Sequence, residues 1–548
     1  MRNMSIGKQN FKEMIDHQGT LYHYVDKSQL IEDVMSDDII LYSRPRRFGK
    51  TLNMSMLYYF FSFSEKDNAY LFNDLKILRN KEAMEHQNKY ALISITFGGC
   101  EANNLNTQIN LIGDVIELFI SKHPDLYEST YLSNLQKDKL YRLESRNYQG
   151  NDLINSLQFL SQCMALHYKK KVIILIDEYD VPLKYAYDYG YYDEMHNFMS
   201  MFLSKSLKYN DDLYKAVLTG CLPLAKKSSY TGLNNVTVRD FLDYDASDCF
   251  GFTETEVIDF LKDYDLEERI DEIKLWYDGY RFGDQQIYNP LSVSKCVQRL
   301  LKNNPNSMDT YWIGTGSNIE IKHFIEQDHG PLKKEFKILE EGKSIIKLIN
   351  PQITYEESNN PKYIYTFLLY TGYLTIKHHL SENRYELMIP NNEVKKTYTM
   401  FFSQWFEKKY SHSLFIESLL KGDVSKAQEI LEYTLLSSFS FYYSVEEVYE
   451  AFLLGYLSDH GYKVDSEKES GFGRYDLFVY NVRAHPALII ECKHSESIDS
   501  LEKDAKEGLK QIRERKYIEG KESEGYSEIL GYSIAFHKKR CLILGDID

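Results

Sequence analysis

IILYSRPRRFGKTLNMSML, residues 39–57, decides the fold of the amino-terminal half of the chain. An apolar run passes through a loop into Gly49, Lys50 and Thr51, and apolar residues then recur at the spacing of a helix. A strand, a loop and a helix in this order surround an anion with backbone N–H groups and a helix N-terminus. The stretch therefore predicts a phosphate-binding loop.

Each side chain of the predicted loop has an expected task in binding a nucleoside triphosphate such as ATP. Lys50 would reach the β- and γ-phosphates, and the Thr51 hydroxyl would ligate Mg²⁺. Such loops usually start with a glycine, but this chain has an arginine there, so a permissive turn residue is missing. A basic turn that merely caps a helix is the alternative. The other expected contacts are Arg46, Arg47, Phe48 and Gly49, with Arg44, Arg46 and Arg47 adding positive charge where the phosphates would sit.

Two further buried strands are predicted to end at the same site. KVIILIDEYDVPL (171–183) is continuously apolar up to Asp177 and Glu178, the form expected of a Walker B strand. Asp177 would bind the magnesium ion, and Glu178 would orient the attacking water as a general base. LYKAVLTG (213–220) ends near Thr219, which suits a sensor of the γ-phosphate. For the two acids the alternative is an acidic cap at the end of a strand. For Thr219 it is a hydroxyl that only satisfies a backbone hydrogen bond.

The pattern along all 548 residues predicts an α/β protein with three regions. Short apolar runs alternate with longer helical stretches in the first region, which is typical of a mainly parallel sheet with helices between its strands. The second region is predicted to be mostly helical, with small β-elements near 364–379. The third follows the order helix, strands, helix and two strands. We place these regions at residues 1–245, 246–438 and 439–548.

The third region carries a second group of reactive side chains. GFGRYDLFVYN (471–481) contains Asp476, and ALIIECKHS (487–495) contains Glu491 and Lys493 on one strand face. The turn-like residues between them predict a hairpin, which would bring both carboxylates and the amine together at one sheet edge. The carboxylates suit Mg²⁺, with Mn²⁺ as the alternative, and the lysine would orient a nucleophile or stabilise developing charge. The alternative is a half-buried strand whose charged residues face water.

The predicted helices before and after this hairpin add candidate site residues. A stretch at 443–461 has an amphipathic stripe with Glu446 and Glu450 on one flank. A helix at 500–517 places Gln511 beside basic residues. That helix would contact a nucleic-acid backbone, or it would form no more than a solvated face.

The charge of the chain limits how it can meet nucleic acid. Lys and Arg number 65 against 81 Asp and Glu, and the formal net charge of −16 excludes coating of nucleic acid by bulk electrostatics. The seven cysteines are scattered without the paired spacing of a zinc site, which favours a reducing compartment. No signal-peptide core or membrane-length apolar run is present. We therefore expect a soluble, cytoplasmic protein without a membrane partner.

The carboxyl-terminal motif resembles that of the PD-(D/E)XK nuclease superfamily. The resemblance rests on Asp476, Glu491 and Lys493 at their spacing in the sequence. It implies a catalytic, metal-binding role for the two carboxylates and a catalytic role for the lysine. The helix glutamate and the trailing glutamine of that superfamily would match Glu446 and Gln511.

The whole chain also resembles bacterial AAA-ATPase-like proteins that join such a nuclease to a P-loop domain. The stretches RPRRFGKT (44–51) and LIDEYD (175–180) carry most of this resemblance, which extends over nearly all the residues. One departure is Pro223, near which the family pattern has an arginine that would sense the nucleotide. Lys226 or Lys227 would be its substitute.

Together the residues and the resemblance imply an ATPase and a metal-dependent nuclease in one chain. The expected fold is a P-loop NTPase with a mainly parallel sheet, a mostly helical middle region and a restriction-endonuclease-like α/β domain. The expected function is ATP binding and hydrolysis, with Mg²⁺-dependent cleavage of DNA gated by the nucleotide state. The alternative is a nucleotide-switched regulator that binds DNA or protein through a non-cleaving nuclease fold. ATP and DNA are the expected partners, and oligomeric assembly is left open.

Overall fold

The protein is described by a computed structural model, in which the chain forms two compact units, Met1–Thr399 and Met400–Asp548. The three predicted regions divide the chain more finely than this, and their boundaries at 245 and 438 stay predictions. The structure describes residues 4, 6–16, 22–223, 235–302, 308–312, 331–351, 363–399, 412–438, 446–457, 463–466, 469–471, 473–481, 484–526 and 528–546.

A parallel sheet lies in the first unit. Its strands run in the spatial order β2-β3-β4-β1-β5, and every neighbouring pair is parallel. β1 and β3 are buried along their whole length, as their continuous apolar runs predict. The predicted parallel sheet is therefore confirmed. The strands are β1 (Ile39–Ser43), β2 (Ala91–Thr96), β3 (Val172–Asp177), β4 (Leu213–Gly220) and β5 (Thr237–Arg239).

Helices connect the strands of this sheet. α3, α5 and α8 pack against β2, and α3 and α8 also contact β3. Asn104 caps α5 by accepting a hydrogen bond from the backbone N–H of Thr107 at 2.9 Å, which satisfies one orphan donor of the first turn. The helices are α1 (Phe11–Ile15), α2 (Leu30–Ser36), α3 (Lys50–Phe61), α4 (Lys81–Met84), α5 (Leu105–Ser121), α6 (Asp125–Glu128), α7 (Asn134–Glu144), α8 (Ser156–Tyr168), α9 (Val181–Asp188) and α10 (Tyr192–Leu207).

The strand order brings three predicted site segments together. β1 lies beside β4, and β4 lies beside β3, so the carboxyl ends of all three strands meet at one edge. Thr219 pairs in register with Tyr42 of β1, and Leu218 pairs with Ile176, the residue before Asp177. Ligands of open parallel sheets bind outside the carboxyl ends of the strands. The loop after β1 and the ends of β3 and β4 therefore form one site.

The middle of the chain is mostly helical, as predicted. Short strands interrupt it, forming a two-stranded ribbon and an antiparallel sheet in the order β8-β10-β9. The β-elements predicted near 364–379 are correct only in part, because a helix occupies the first half of that stretch. The elements are α11 (Glu254–Lys262), α12 (Ile270–Tyr277), β6 (Tyr280–Phe282), β7 (Gln285–Ile287), α13 (Pro290–Leu300), α14 (Pro331–Glu340), β8 (Ile345–Leu348), α15 (Ile364–Tyr370), β9 (Thr375–Ser381) and β10 (Arg384–Met388).

The second unit is a sheet with helices on both faces. The strand order is β11-β14-β15-β16-β17, in which only the β15–β16 pair is parallel. The predicted hairpin of β14 and β15 and the predicted element order are confirmed. The elements are α16 (His412–Leu420), α17 (Val424–Ser438), α18 (Glu446–Leu457), β11 (Lys463–Ser466), β12 (Glu469–Ser470), β13 (Gly473–Arg474), β14 (Leu477–Asn481), β15 (Ala484–His494), α19 (Leu501–Glu514), α20 (Tyr517–Ser523), β16 (Ile529–His537) and β17 (Arg540–Asp546).

The two faces of this second sheet are covered differently. Leu477 and Ile490 point into the core shared with α16, α17 and α18. Phe478 and Ile489 point the other way, into a smaller core that includes Ile512 of α19 and residues of α20. Alternation along the strands follows from the pleat. In the part of the chain that the structure describes, no helix has the length and apolar character needed to span a membrane.

Candidate functional site

The loop after β1 has the backbone of a phosphate-binding loop. Gly49 adopts φ +85° immediately before α3 begins at Lys50, and Arg47 adopts φ +72°. Glycine carries the first of these left-handed positions without steric cost. Arg44 does not have a positive φ. An arginine in place of the usual first glycine therefore does not force a left-handed backbone at this position.

Arg44 has a structural task rather than a phosphate-binding one. Its guanidinium is fully buried and donates hydrogen bonds to the carbonyls of Ser43 at 2.9 Å, Arg239 at 2.8 Å and Ala246 at 3.3 Å. It also lies over the ring of Phe250. Burial lowers the pKa of Arg44, which nearby carboxylates partly offset. The expectation that Arg44 adds charge to the phosphate site is wrong, because its guanidinium joins three backbone segments beneath the loop.

A cavity of about 560 Å³ opens in front of this loop. Its volume lies within the range of small-molecule sites. Its lining includes six predicted nucleotide contacts and Glu178, whereas the buried Asp177 and Thr219 are not part of that lining. The predicted lining residues are Arg46, Arg47, Phe48, Gly49, Lys50, Thr51 and Glu178. The ring of Phe48 packs against Tyr280 at a centroid distance of 4.9 Å.

Lys50 lies folded back onto its own loop. Its Nζ donates to the carbonyl oxygens of Arg44 and Pro45, both at 2.8 Å, and lies 3.9 Å from the Sγ of Cys221. The residue is 7% exposed although it lines the cavity. Burial raises the pKa of the Cys221 thiol, and the charge of Lys50 partly offsets that increase. Lys50 thus presents a buried positive charge at the base of the cavity.

The acids at the end of β3 occupy two different environments. Asp177 is 4% exposed and accepts a hydrogen bond from the hydroxyl of Thr219. Glu178 adopts φ +53° and faces the cavity. Burial raises the pKa of Glu178, Asp177 raises it further, and Lys50 lowers it. A Cβ at Gly98 would come within 2.9 Å of the Glu178 carboxylate, so a residue without a side chain leaves room for that acid.

Asp180 is a site residue that the sequence reasoning missed. Its Oδ2 accepts hydrogen bonds from the backbone N–H groups of Cys221 at 2.9 Å and Leu222 at 3.1 Å. The hydroxyl of Tyr179 donates to the carbonyl of Leu222 at 2.7 Å. The segment after β4 is therefore held by the residues that follow β3. The signal was present in the sequence, because Asp180 is the third acid of LIDEYD (175–180).

The cavity also includes residues of the chain that no motif marked. Glu101, Lys184 and Tyr185 line it together with Glu178 and Asp180. Pro223, where the resemblance predicted an arginine nearby, is buried. The suggested substitutes Lys226 and Lys227 lie outside the described residues.

In the second unit the strand register brings the predicted carboxylates together. Leu477 pairs with Ile490, so continuing that register places Asp476 opposite Glu491. Asp476 Oδ2 accepts a hydrogen bond from the backbone N–H of Cys492 at 2.7 Å. The Nζ of Lys493 lies 3.2 Å from Glu491 Oε1.

This carboxylate–lysine group lies on a sheet face rather than at a sheet edge. β14 and β15 are both interior strands of the five-stranded order, and alternation puts the group on the side covered by α19. Glu491 is fully buried, whereas the side chain of Lys493 is 17% exposed. The expectation of an edge site is therefore corrected: β15 is central because β16 pairs with it in parallel.

The helix acid of this group is described only in part. Glu446 begins α18, but its side chain lies outside the part of the chain that the structure describes. Glu450, one turn later, is half-buried and acts on Cys492. Burial raises the pKa of that thiol, and Asp476, Glu450 and Glu491 add to the increase. The assignment of Glu446 as the helix acid of this site stays a prediction.

Gln511 takes part in a hydrogen-bond network beside the same group. Its Nε2 donates to the hydroxyl of Tyr517 at 3.3 Å, and that hydroxyl donates to the carbonyl of Arg474 at 2.5 Å. Burial raises the pKa of Tyr517, and the charges of Glu491 and Asp476 raise it further. The network therefore connects α19 and α20 to the backbone two residues before Asp476. Contact of Gln511 with nucleic acid stays a prediction.

The donors present at the strand site fit a hard divalent cation. Asp476 and Glu491 supply carboxylate oxygens from opposing strand positions, which Mg²⁺ and Mn²⁺ prefer. Magnesium commonly uses one or two carboxylates and keeps several waters. Among the described residues no cluster of three or more His, Cys, Asp or Glu side chains is arranged to hold a metal. Asp476 and Glu491 are the residues of this hairpin that would hold such a cation.

Comparisons with known proteins find matches for two segments of the chain. A family described as "Predicted AAA-ATPase" matches residues 5–230, and the PD-(D/E)XK nuclease superfamily matches residues 444–545. The "Uncharacterized protein in vnfD 5'region" of Azotobacter chroococcum mcd 1 is 26% identical over 413 residues, 72% of this chain and 68% of that relative. The solved structure of the Aeropyrum pernix ORC2 protein in ADPNP-ADP complexes aligns with 69% of this chain and 92% of that one, at 10% identity and a TM-score of 0.25. One chain therefore contains a match to the predicted AAA-ATPase family in its amino-terminal part and a match to the PD-(D/E)XK nuclease superfamily in its carboxyl-terminal part.

Proposed function

We propose that this protein binds and hydrolyses ATP and cleaves phosphodiester bonds in DNA at a Mg²⁺-dependent site, with the nucleotide state controlling cleavage. The observation that carries the nuclease proposal is the hairpin register that sets Asp476 opposite Glu491, with the Nζ of Lys493 at 3.2 Å from the glutamate. The family matches of both segments support the two activities.

The residues of the strand site have separate tasks in this proposal. Asp476 and Glu491 would hold the cation, which when bound activates water and neutralises charge on the phosphodiester. Lys493 keeps its amine beside the glutamate and partly open to solvent, so it orients the attacking water or stabilises charge on the phosphate. The backbone N–H of Cys492 fixes the aspartate. Hydrogen bonds that fix both acids before substrate arrives reduce the reorganisation needed for the reaction.

The nucleotide site divides its tasks in the same way. Lys50 and the start of α3 would bind the phosphates, and Mg²⁺ would be held by Thr51 directly and by Asp177 through water. Glu178 faces the cavity and accepts a proton from the attacking water. Thr219 keeps Asp177 oriented through its hydroxyl. Arg46, Arg47 and Gly49 complete the phosphate-binding wall.

Cleavage assays on single- and double-stranded DNA and RNA test the nuclease proposal. The purified protein should cleave DNA with Mg²⁺ or Mn²⁺, and chelation should stop it. Lys493→Ala and Asp476→Ala should each lower the rate by on the order of 10²-fold or more. Lys421→Ala is the matched control, because Lys421 lies exposed in a pair with Glu417 of α16, which packs on the sheet face opposite α19.

The results separate the proposal from its alternative. Cleavage that survives both substitutions would contradict the assignment of these residues. DNA binding without cleavage by the unaltered protein would instead support a regulator with a non-cleaving nuclease fold. Cleavage of RNA alone would reject DNA as the substrate.

A further inference from the structure

A buried lysine without an assigned role lines the nucleotide cavity. Lys184 lies one turn into α9, and its backbone N–H donates to the carbonyl of Asp180 at 3.0 Å. The residue is only 2% exposed, yet it forms part of the cavity wall. Removing an ammonium group from water is costly unless anions surround it. A lysine kept at this position therefore faces negative charge from the protein, from a ligand, or from both.

The neighbours of Lys184 identify the part of the cavity that it serves. Its Nζ lies 5.5 Å from the ring centroid of Tyr185, whose hydroxyl donates to Glu101 Oε2 at 2.6 Å. Arg46 acts electrostatically on both Tyr185 and Glu178. All five residues line the cavity. Lys184 thus belongs to the wall that carries the catalytic glutamate and a loop arginine.

The charged side chains of this wall are two cations and three carboxylates, so a terminal phosphate there needs the cations to offset the repulsion of the acids. Lys50 and the first turn of α3 already supply the positive charge and N–H donors at the base of the cavity. Lys184 and Arg46 add cations to the lining that also contains Glu178, the residue that would orient the attacking water towards the terminal phosphate. Three carboxylates of the same lining, Glu101, Glu178 and Asp180, would repel that phosphate if no cation opposed them.

We propose that Lys184 binds the terminal phosphate of a nucleoside triphosphate and so makes the cavity prefer triphosphates over diphosphates. This inference rests on the proposed ATP-binding function and adds a determinant of specificity to the same site. The cation comes from the helix after β3, whereas the resemblance predicted a sensor arginine after β4, near Pro223. A diphosphate leaves Lys184 without its ligand, so the residue contributes little to ADP affinity.

Equilibrium titration with fluorescent ATP and ADP analogues in Mg²⁺ tests this proposal on the full-length protein. Lys184→Met should weaken ATP binding by about tenfold, because it removes one charge-assisted hydrogen bond to phosphate. ADP binding should change by less than about twofold. Lys184→Arg keeps the cation and should recover most of the ATP affinity. Lys205→Met is the matched control, since its Nζ lies 5.6 Å from the ring of Tyr209 but on the exposed side of α10.

Thermal unfolding of each variant separates binding from folding. If Lys184→Met is unfolded at the assay temperature, Lys184→Gln retains a polar end and gives the same comparison. Equal losses for ATP and ADP, or no loss for either, would overturn the role of Lys184 while leaving ATP binding by the unaltered protein in place. Failure of the unaltered protein to bind either nucleotide would overturn the proposed function itself and this inference with it.

Discussion

At the scale of single residues, the most informative position is Arg44. The sequence places it in a loop with two other arginines, and nothing in the pattern separates their roles. The structure separates them by burial, since Arg44 donates to three backbone carbonyls whereas Arg46 lines the cavity. The positive charge of the loop could be predicted from its composition. The direction of the Arg44 side chain could not, because it depends on the carbonyls of residues 239 and 246, which are distant in the sequence.

This difference in burial predicts that two similar substitutions affect different properties, one the stability of the protein and the other its ATP binding. Arg44→Met should lower the free energy of unfolding by about 2–4 kcal/mol, because it leaves buried carbonyls without their charged donor. Arg46→Met should change stability by less than about 0.5 kcal/mol and should weaken ATP binding instead. Urea denaturation and nucleotide titration measure the two effects. A stable Arg44→Met protein that fails to bind ATP would contradict the structural role of Arg44.

The half-buried thiol of Cys221 gives a probe of the same cavity. Burial raises its pKa above the ordinary value, and the thiolate is the reactive form. Alkylation should therefore be slow at neutral pH and should accelerate by about tenfold per pH unit while the pH stays below the pKa. ATP should slow the reaction, because Cys221 lies 3.9 Å from Lys50 in the cavity wall.

Mass spectrometry of iodoacetamide-treated protein measures this labelling, with Cys221→Ser as the control. The six other cysteines are buried, so they should react more slowly in the folded protein. Rapid labelling at neutral pH, or labelling that ATP does not affect, would contradict this description of the cavity.

At the scale of elements, the hairpin of β14 and β15 was the most predictable feature. The alternation of apolar residues and the turn between the runs predicted antiparallel pairing, and the register follows from that turn. The position of β15 inside the sheet was not predictable, because it depends on parallel pairing with β16 about forty residues later. The network from Gln511 to Tyr517 was missed for the same reason, since it depends on how two helices pack.

Helix α19 approaches the strand site closely at one glycine. A Cβ added to Gly508 would lie 2.1 Å from the Oγ of Ser533 and 3.4 Å from the Cγ of Lys493. Gly508→Ala should therefore displace α19, reduce stability by about 1–3 kcal/mol and lower DNA cleavage, because Lys493 moves with its neighbours. The ATPase rate should stay within about twofold, since that site lies in the first unit.

A second substitution tests the cause of this effect. Ser533→Gly removes the atoms that the new methyl group would meet, so the Gly508→Ala/Ser533→Gly protein should recover part of the lost cleavage relative to Gly508→Ala alone. Thermal unfolding and metal-dependent cleavage measure both properties. Unchanged cleavage in Gly508→Ala would show that the close packing of α19 is unimportant for the site.

At the scale of the whole molecule, each of the two units contains its own group of reactive residues. The P-loop, the strand acids and the cavity all belong to Met1–Thr399, and the carboxylate–lysine group belongs to Met400–Asp548. The fold class and the family of each segment could be predicted from short motifs, because those motifs are local in the sequence. The placement of Lys184 could not be predicted, because it depends on the packing of the first unit around the cavity.

Control of cleavage by nucleotide predicts a measurable coupling between the units. DNA cleavage in the presence of a non-hydrolysable ATP analogue should differ from cleavage with ADP by about fivefold or more, the usual lower range of allosteric coupling. Lys50→Ala should remove this difference without abolishing basal cleavage. Equal rates with the analogue, with ADP and without nucleotide would contradict the proposed gating while leaving the nuclease assignment intact.

The proposed nuclease activity depends most directly on cation binding by Asp476 and Glu491. Calorimetric titration of nucleotide-free protein with Mn²⁺ should show a saturable site that the Asp476→Asn/Glu491→Gln protein lacks and the Glu507→Gln control on α19 retains. DNA cleavage should disappear together with that site. An unchanged Mn²⁺ isotherm in the double variant, or cleavage that persists in it, would contradict the assignment of this hairpin as the metal-dependent centre.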